Sequence, residues 1–461
     1  MNRHGPVILL LLSALAGCQS YRTLPLDDHA HHHKWINRSI DDARVREYAV
    51  QLAALNADAD LAYDLTDGLS LSEAELVALV FNPDLRVARL NAKVPLFGAS
   101  HAGHWDDPEL NFDLLRVTES VKDPWVIGSS LSFTIPISGR LEVEKDKAFA
   151  EANGELMKAL LAEWTMLGEL RIAWTHWSAA VQRITLVETY LEQLDEVIGV
   201  AEAQRQANRI GSPELRVLQL EKATRIGELH SFRVEEQRRR LAIKALLGLH
   251  PDAPIDLRPE FPLALPELNE ADRITQLREH NLRLAVSRAA YEVADEAFRL
   301  EIRKQYPDLV IGPGYENEEG MSRAGVVLSI PIPLLNQNRR GIAEARAARD
   351  AAKAAYEAEY ERIVAELSQA ELDVMAAKER STYIEGTVAR MVDEQLADLR
   401  RLAELGDLDV LVILDALSRT LETKFQILEA RVEEAEAVTR LRSLLRPLNT
   451  PMREGVGDEK E

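Results

Sequence analysis

The segment Trp125-Val126-Ile127-Gly128-Ser129-Ser130-Leu131-Ser132-Phe133-Thr134-Ile135-Pro136-Ile137 alternates apolar with small polar residues until a proline interrupts it. A period of two is typical of a β-strand with one apolar and one polar face. Just before it, Leu110, Phe112 and Leu114 alternate with Asn111 and Asp113 in the same way. The two runs predict a β-hairpin at about 108–137 with a polar turn near 119–123.

The same landmarks recur in the second half of the chain. Ile330-Pro331-Ile332 follows Ile135-Pro136-Ile137 by 195 residues, Gly406 follows Gly211 by 195, and Leu282-Arg283-Leu284-Ala285 follows Leu85-Arg86-Val87-Ala88 by 197. Constant spacing of landmarks indicates an internal repeat. It predicts a second hairpin at about 306–332 with a turn near 317–320, although Gly312, Pro313 and Gly314 weaken its first strand.

Long helices are expected after each hairpin. Apolar residues step by three and four along stretches without proline, such as Ile184 to Ala201 and Ile363 to Met391, and this period of 3.5 is typical of coiled coils. We predict long helices at about 140–210 and 339–405, each ~100 Å long at 1.5 Å per residue. Shorter helices are expected at about 71–104, 213–249, 268–305 and 408–446, stacked in pairs beside the long ones. An exposed stalk would explain the heptads equally well, but it would not explain the strands.

The chain has 461 residues and a formal charge of −21, which argues against binding a nucleic-acid backbone.

Residues 1–17 have the short apolar run of a signal peptide, and Cys18, the only cysteine, follows Leu15-Ala16-Gly17. This resembles a bacterial lipobox, which implies lipid on Cys18; Gln19 then implies the outer membrane as the address. The predicted organisation continues with a lipid-anchored segment 18–70, a first repeat 71–250, a proline-rich linker 251–267, a second repeat 268–446 and a tail 447–461.

Four strands are too few to close a membrane barrel alone. Their lengths and alternation suit transmembrane strands, yet an unpaired strand edge is not tolerated in lipid and the smallest such barrels have about eight strands. Several subunits would therefore share one barrel. The competing interpretation is a pair of soluble hairpins capping a helical bundle.

The ordered set of features resembles the TolC-like outer membrane factor family, in particular its lipoprotein members in metal and drug efflux systems with an RND-type pump. The features are the duplicated order of helix, hairpin, long helix and short helix, Asn82-Pro83-Asp84-Leu85 at the first repeat, the two Ile-Pro-Ile segments, and the turns at Gly211 and Gly406. The resemblance implies a mostly helical fold with a small β part, in which a homotrimer assembles a twelve-stranded barrel in the outer membrane and an α-helical barrel in the periplasm. The implied partners are a periplasmic adaptor (membrane fusion protein), an inner-membrane pump and outer membrane lipid.

The resemblance also suggests where function lies. The turns at Gly211-Ser212 and Gly406-Asp407 would form the periplasmic tip that contacts the adaptor, and we expected a left-handed glycine at each reversal. Candidates for charged rings at a narrow aperture are Glu214, Glu404, Asp409, Arg209, Arg400 and Arg401, although for any one of them a solvated charge at a helix end is the favoured interpretation.

Several histidines are candidate ligands for a metal ion. His29, His31, His32 and His33 could capture a transition metal transiently or simply form a polar tether; His101 and His104 are a weaker candidate, and His176 is expected to pack. No motif of a catalytic or cofactor site is recognised, so the sequence predicts a passive exit duct and not an enzyme. The alternatives are a channel for type I protein secretion and a non-conducting, lipid-anchored coiled-coil scaffold.

Overall fold

The structure is a computed structural model, and it describes residues 21–55, 63–118, 125–262, 270–318, 321–404 and 409–445. The helices in these ranges are α1 (Asp28–Ile36), α2 (Ala43–Leu55), α3 (Leu71–Phe81), α4 (Pro83–Ser100), α5 (Arg140–Gln206), α6 (Ser212–Leu246), α7 (Glu270–His280), α8 (Leu282–Arg303), α9 (Arg339–Tyr383), α10 (Arg390–Glu404) and α11 (Val410–Leu444). A π-helical turn, Ile384–Ala389, joins α9 to α10. The strands are β1 (Glu109–Arg116), β2 (Trp125–Ile135), β3 (Leu309–Glu318) and β4 (Met321–Ser329). The predicted fold class, mostly helical with a small sheet, is confirmed.

The helices of each repeat are arranged as one long rod beside two shorter ones. α5 packs against both α4 and α6, and α9 packs against α8 and α11. α5 also contacts α8 and α11, so it joins the two repeats. Among the residues that the structure describes, no helix is both long and apolar enough to cross a membrane.

A buried asparagine connects the shorter helices in each repeat. The Asn82 side chain caps α4 by accepting hydrogen bonds from the backbone N–H groups of Asp84 and Leu85, and its amide donates to the Leu246 carbonyl at the end of α6 (2.8 Å). Asn281 caps α8 in the same way and donates to the Leu444 carbonyl at the end of α11 (3.0 Å). One side chain thus satisfies the start of one helix and the end of another, which stacks the shorter helices end to end.

The structural repeat differs slightly from the spacing read in the sequence. Asn281 follows Asn82 by 199 residues, and the left-handed residue before the second long helix, Asn338, follows its counterpart Gly139 by the same number. The Ile-Pro-Ile segments are only 195 apart because the connection into the second long helix is four residues longer. Leu85 is therefore equivalent to Leu284, and the pairing of Leu85 with Leu282 was wrong by two residues.

The four strands form one antiparallel sheet in the order β1-β2-β3-β4. The pairing of β2 with β3 skips Gly312 and Pro313, because proline has no N–H to donate. Gly312 lies so close to β2 that any side chain there would clash with the Leu131 carbonyl. β3 is nevertheless continuous, because Gly312 and Pro313 pair with Val327 and Val326 of β4. β1 and β4 are edge strands within the chain.

The two faces of this sheet differ in chemistry. Partners in register share a face, and Phe133, Ile311 and Leu328 form an apolar row across three strands. The opposite face carries a row of Asp113, Gly128, Glu316 and Arg323 across all four strands. The apolar face is exposed in the single chain: Phe112 and Val326 are each 73% exposed.

The largest core lies halfway along α5. The Trp174 and Trp177 side chains are buried there, and their indole N–H groups donate to the Arg258 carbonyl (3.2 Å) and the Glu236 carboxylate (2.7 Å). The described part of the proline-rich linker packs on this site, since Leu257 is buried and pairs with Leu69 in a short parallel bridge. Residues of α2 and α3 complete the core. The sequence analysis did not predict α1 or α2.

Candidate functional site

The first predicted tip is closed by Asn208 and not by a glycine. Asn208 adopts the left-handed conformation (φ 56°) after α5. The Arg209 N–H donates to the Gln204 carbonyl (2.9 Å) and the Asn208 N–H to the Arg205 carbonyl (3.0 Å), which is the Schellman arrangement of a helix end. Gly211 has φ −87°, so our expectation of a left-handed Gly211 was wrong. Asparagine tolerates this conformation because its short polar side chain bonds locally.

Gly211 instead begins the returning helix. It is the N-cap of α6, with Ser212 and Pro213 in the first turn. The Glu214 carboxylate lies over Gly211, since a Cβ placed there would be 2.8 Å from Oε2. Oε2 is buried and has no hydrogen-bond partner in the described part of the chain, while the positive end of α6 favours its charge.

The second predicted tip is described only in part. Gly406 and Asp407 lie outside the described residues, as do the side chains of Arg400 and Glu404. Arg401 is exposed and lies 3.6 Å from Asp398 on its own helix. The Asp409 side chain caps α11 by accepting from the Leu411 N–H (2.9 Å). Asp409 therefore has the N-cap position that Gly211 has in the first repeat, and each tip presents a carboxylate at a helix start.

A polar network near the tips joins the two repeats. The Tyr190 hydroxyl on α5 is 3.2 Å from Glu221 on α6 and 3.0 Å from the Ser418 hydroxyl on α11. Burial, reinforced by the Glu221 carboxylate, raises the pKa of Tyr190, although the Ser418 contact opposes this shift. Burial alone would lower the pKa of Arg225, but hydrogen bonds to Glu221 and Glu228 raise it.

An aromatic pair extends this junction, because Phe232 of α6 and Phe425 of α11 pack edge to face with ring centres 6.1 Å apart. The sequence pattern did not predict this polar network. Tyr190 lies one residue before Leu191 of the heptad seam, and a tyrosine beside such a seam is the only signal that pointed to it.

The structure gives the positions and contacts of the histidines singled out in the sequence. His29, His31, His32 and His33 lie on α1, which is a helix and not an irregular tether. His101 and His104 are neighbours in the turn after α4, with ring centres 6.3 Å apart. His176 pairs with Glu436 of α11 (2.9 Å). No group of three or more His, Cys, Asp or Glu side chains in the described ranges is arranged to hold a metal ion. Cys18 lies outside these ranges.

Comparisons with known proteins agree with this architecture. Residues 274–445 match the family model described as outer membrane efflux protein. No curated protein matches the sequence. The outer-membrane channel OprN is 18% identical, with a TM-score of 0.69 over 94% of this chain and 99% of that one. CusC is 14% identical (TM-score 0.68, 81% and 91%), and the outer membrane protein VceC of Vibrio cholerae is 17% identical (TM-score 0.67, 81% and 95%).

At these identities the solved structures establish the fold, and the family match covers the second repeat. The predicted resemblance to the TolC-like outer membrane factor family is confirmed. This family comprises outer membrane efflux channels and is not a class of enzymes.

Proposed function

We propose that this chain is the outer membrane exit duct of a tripartite efflux system. Three copies assemble one channel, an inner-membrane pump of the RND type supplies the driving force, and a periplasmic adaptor connects the two. The duct itself is passive. The observation that carries the proposal is a sheet with two free edges and one exposed apolar face, continuous with helices ~100 Å long.

The free edges require partners if the sheet is in lipid. Each backbone group left unpaired in a bilayer costs several kcal/mol, so β1 and β4 must each pair with another strand. β4 of one copy can pair with β1 of the next, and three copies close a ring of twelve strands. The apolar face then meets lipid, and the row containing Asp113, Glu316 and Arg323 faces a wet lumen.

Exposed aromatic side chains support this orientation. Trp105 (62% exposed) and Tyr306 (58%) lie at the end of the sheet where the helices begin, and Trp125 (46%) starts β2 at the opposite end. Aromatic residues of membrane barrels concentrate at the two interfaces with water.

Exposed apolar stripes on the helices support assembly of several copies. On α4 the stripe consists of Val87, Leu90, Val94 and Phe97, which step by three and four and so share one side. On α6, Leu220, Val234 and Leu241 lie on a seven-residue period. Stacked end to end, α4 and α6 provide a long surface for a neighbouring copy.

At the opposite end of the helices, we propose that the two turns contact the adaptor. Gly211, Ser212, Gly406 and Asp407 form this surface, and threefold repetition brings Glu214, Glu404 and Asp409 together with Arg209, Arg400 and Arg401 around the aperture. Asp409 and Glu214 support this assignment, because each places a carboxylate at the first turn of a helix.

Two further parts of the proposal rest on the sequence. Lipid on Cys18 anchors the chain to the outer membrane. The His-rich α1 and the net charge of −21 favour heavy-metal ions as cargo. Cells that lack the protein should then lose resistance to metal salts more than to hydrophobic drugs, and the reverse order would overturn this cargo.

The duct is tested by two neighbouring substitutions in β1. Phe112→Lys places a charge on the apolar face, which costs about 2–4 kcal/mol at the bilayer midplane, and should abolish heat-modifiable trimers. Asn111→Lys, the matched control, puts the same charge on the polar face; it should keep trimers and alter ion selectivity in planar bilayers. A soluble monomer that never conducts, or equal tolerance of both charges, would contradict the duct and favour a scaffold.

The tip is tested by crosslinking to the adaptor. Gly211→Trp and Gly406→Trp should reduce the crosslinking yield while trimers persist, because a large side chain covers the contact surface. Gly199→Trp serves as the control, since Gly199 is exposed on α5, more than two helical turns before Asn208, with open space around it. Unchanged crosslinking in both tip variants would exclude this location for the contact.

A further inference from the structure

Two histidines far apart in the sequence meet where α1 packs on the first repeat. The rings of His32 on α1 and His250 after α6 are 6.1 Å apart between centres. Trp35 lies against both, with its centre 4.9 Å from His250 and 6.3 Å from His32. The His250 side chain is only 18% exposed, and it lies on the inner side of the cluster formed by His32, Trp35 and His250.

The separation of the rings suits a shared ion. Metal–nitrogen bonds of about 2.0–2.1 Å place two imidazole centres roughly 5.2 to 6.4 Å apart, for angles from tetrahedral to linear. The observed 6.1 Å is within this range.

The backbone on both sides of the pair is anchored. Arg38, just after α1, donates to the Gly248 carbonyl (2.7 Å) and to the Phe81 carbonyl (3.4 Å), so it ties α1 to the loop that carries His250. Gly248 has φ 68°, and a side chain there would clash with the Phe81 carbonyl. Lys244 holds the same loop through the Pro251 carbonyl (2.7 Å). The backbone segments that carry the two rings therefore start from a fixed relative position, which lowers the cost of ordering the rings around an ion.

We propose that His32 and His250 form a two-histidine site for a borderline transition-metal cation such as Cu²⁺, with water completing the coordination. Imidazole nitrogen suits Cu²⁺, Ni²⁺ and Zn²⁺, and the expected affinity is highest for Cu²⁺. The ion fastens α1 to the end of α6. The site stands on its own geometry and does not depend on the proposed duct.

Binding changes the hydrogen bonding of His250. In the free protein the Asp252 N–H donates to Nδ1 (3.2 Å). When Nε2 binds the ion, the ring proton moves to Nδ1 and faces the Asp252 carboxylate, whose Oδ2 is 3.6 Å away. A carboxylate behind a metal-bound imidazole is the usual arrangement. The remaining tract histidines are not part of the pair; the His33 carbonyl and ring both contact Asn37 at the end of α1.

The test is a Cu²⁺ titration of the full-length protein, purified without a polyhistidine tag, followed by calorimetry and tryptophan fluorescence. All variants carry His104→Ala and His29→Ala, so that neither His101 and His104 nor His29 and His33, which are one helical turn apart on α1, bind as a second pair. His32→Asn and His250→Asn should each weaken binding by at least about tenfold, whereas His31→Asn should not. Trp35→Phe should keep the affinity and remove most of the quenching.

Two results would overturn the site. If His31→Asn weakens binding as much as His250→Asn, the tract chelates the ion without the loop. If His250→Asn leaves the affinity unchanged in a protein whose circular dichroism matches the wild type, the two rings only pack. Conductance of the same variants is measured in parallel: a protein that binds Cu²⁺ through this pair but does not conduct would refute the duct and leave the site intact.

Discussion

The two repeats share a scaffold but differ in how much of it is packed. α5 in the first repeat is one helix of 67 residues, and it buries eighteen side chains. The corresponding rod of the second repeat is α9, which buries five, followed by the π-helical turn and α10. The duplication therefore conserves the joints at Asn82 and Asn281, whereas the middle of the rod has diverged.

The two long rods are packed differently because different segments cover their middles. α2, α3 and the linker cover the middle of α5, and three tryptophans there reach across to neighbouring segments. At the equivalent place in the second repeat, Leu372 and Met375 are exposed in the single chain (52% and 62%). One rod is thus held on several sides by its own chain, whereas the other has an exposed apolar face in the single chain and a turn that departs from the α-helix. We therefore expect the second repeat to be more compliant than the first.

The largest test of this difference removes a side chain from the packed middle. Trp174→Ala empties a fully buried site, and such changes cost about 3–5 kcal/mol because the cavity adds to the lost burial. Leu372→Ala, on the exposed face of α9, is the control and should cost far less. Unfolding of the detergent-solubilised protein by urea, followed by circular dichroism, measures both. Similar losses would mean that the second rod is packed as tightly as the first.

The second test asks whether the joints are truly equivalent. Asn82→Ala and Asn281→Ala each remove a helix cap and leave a carbonyl at a helix end without its partner. Each should lower the free energy of unfolding by about 1–3 kcal/mol, and the two losses should agree closely. A change at the exposed Asn336 serves as the control. A much smaller loss of unfolding free energy for Asn281→Ala than for Asn82→Ala would show that only the first joint contributes substantially to stability.

These joints also show what the sequence could and could not predict. The long helices begin and end within a few residues of the predicted bounds, because an apolar period of 3.5 over many turns is a strong signal. Asn82-Pro83 was recognised as the opening of a repeat, but the partner Asn281 was not, since only packing reveals that its amide reaches the Leu444 carbonyl. The same applies to the predicted helices at 71–104 and 268–305, each of which is two helices divided at the asparagine.

The candidate sites were less predictable for a related reason. The sequence placed turns near Gly211 and Gly406, but it named glycine as the left-handed residue where Asn208 has that role. It identified the His tract, yet His250 joins His32 through a contact that spans more than two hundred residues. Contacts of this range depend on how the elements pack, and a pattern within one helix carries no information about them.

A third prediction concerns pH. Burial lowers the pKa of His176, and the nearby Arg239 and Arg183 lower it further, against the opposing effect of Glu436 and Glu235. The folded state thus binds the proton less readily than the unfolded state, so the stability contributed by neutral His176 is present above the unfolded pKa and is lost as pH falls through the folded pKa. The equivalent residue in the second repeat is Met375, which does not titrate.

His176→Gln should therefore flatten the loss of stability below about pH 6.5, and the difference in stability between the two proteins should no longer change with pH near pH 8. The thermal midpoint of both proteins across this range measures the difference. Met375→Gln is the control and should shift stability by the same amount at every pH. If the thermal midpoint of His176→Gln falls with decreasing pH as steeply as that of the wild type, other groups are responsible for the titration.

The smallest expected effect on stability, and the most direct test of compliance, concerns the π-helical turn. Glu385 in this turn pairs with Arg431 of α11 (2.7 Å), and both side chains are largely exposed, so Glu385→Gln should change the free energy of unfolding by less than about 1 kcal/mol.

Local opening of the π-helical turn should respond more strongly than global stability, because a π turn misaligns its hydrogen bonds with those of the helices on either side. Backbone amides of 384–389 should exchange hydrogen faster than those of 183–188 in the uninterrupted α5, and Glu385→Gln should widen the gap by removing the cross-link. Deleting Gly386 removes the extra residue and should bring the two exchange rates together if the turn is what makes the second rod compliant. If exchange at 384–389 already matches 183–188 in the wild-type protein, the π-helical turn does not make the second repeat more compliant than the first.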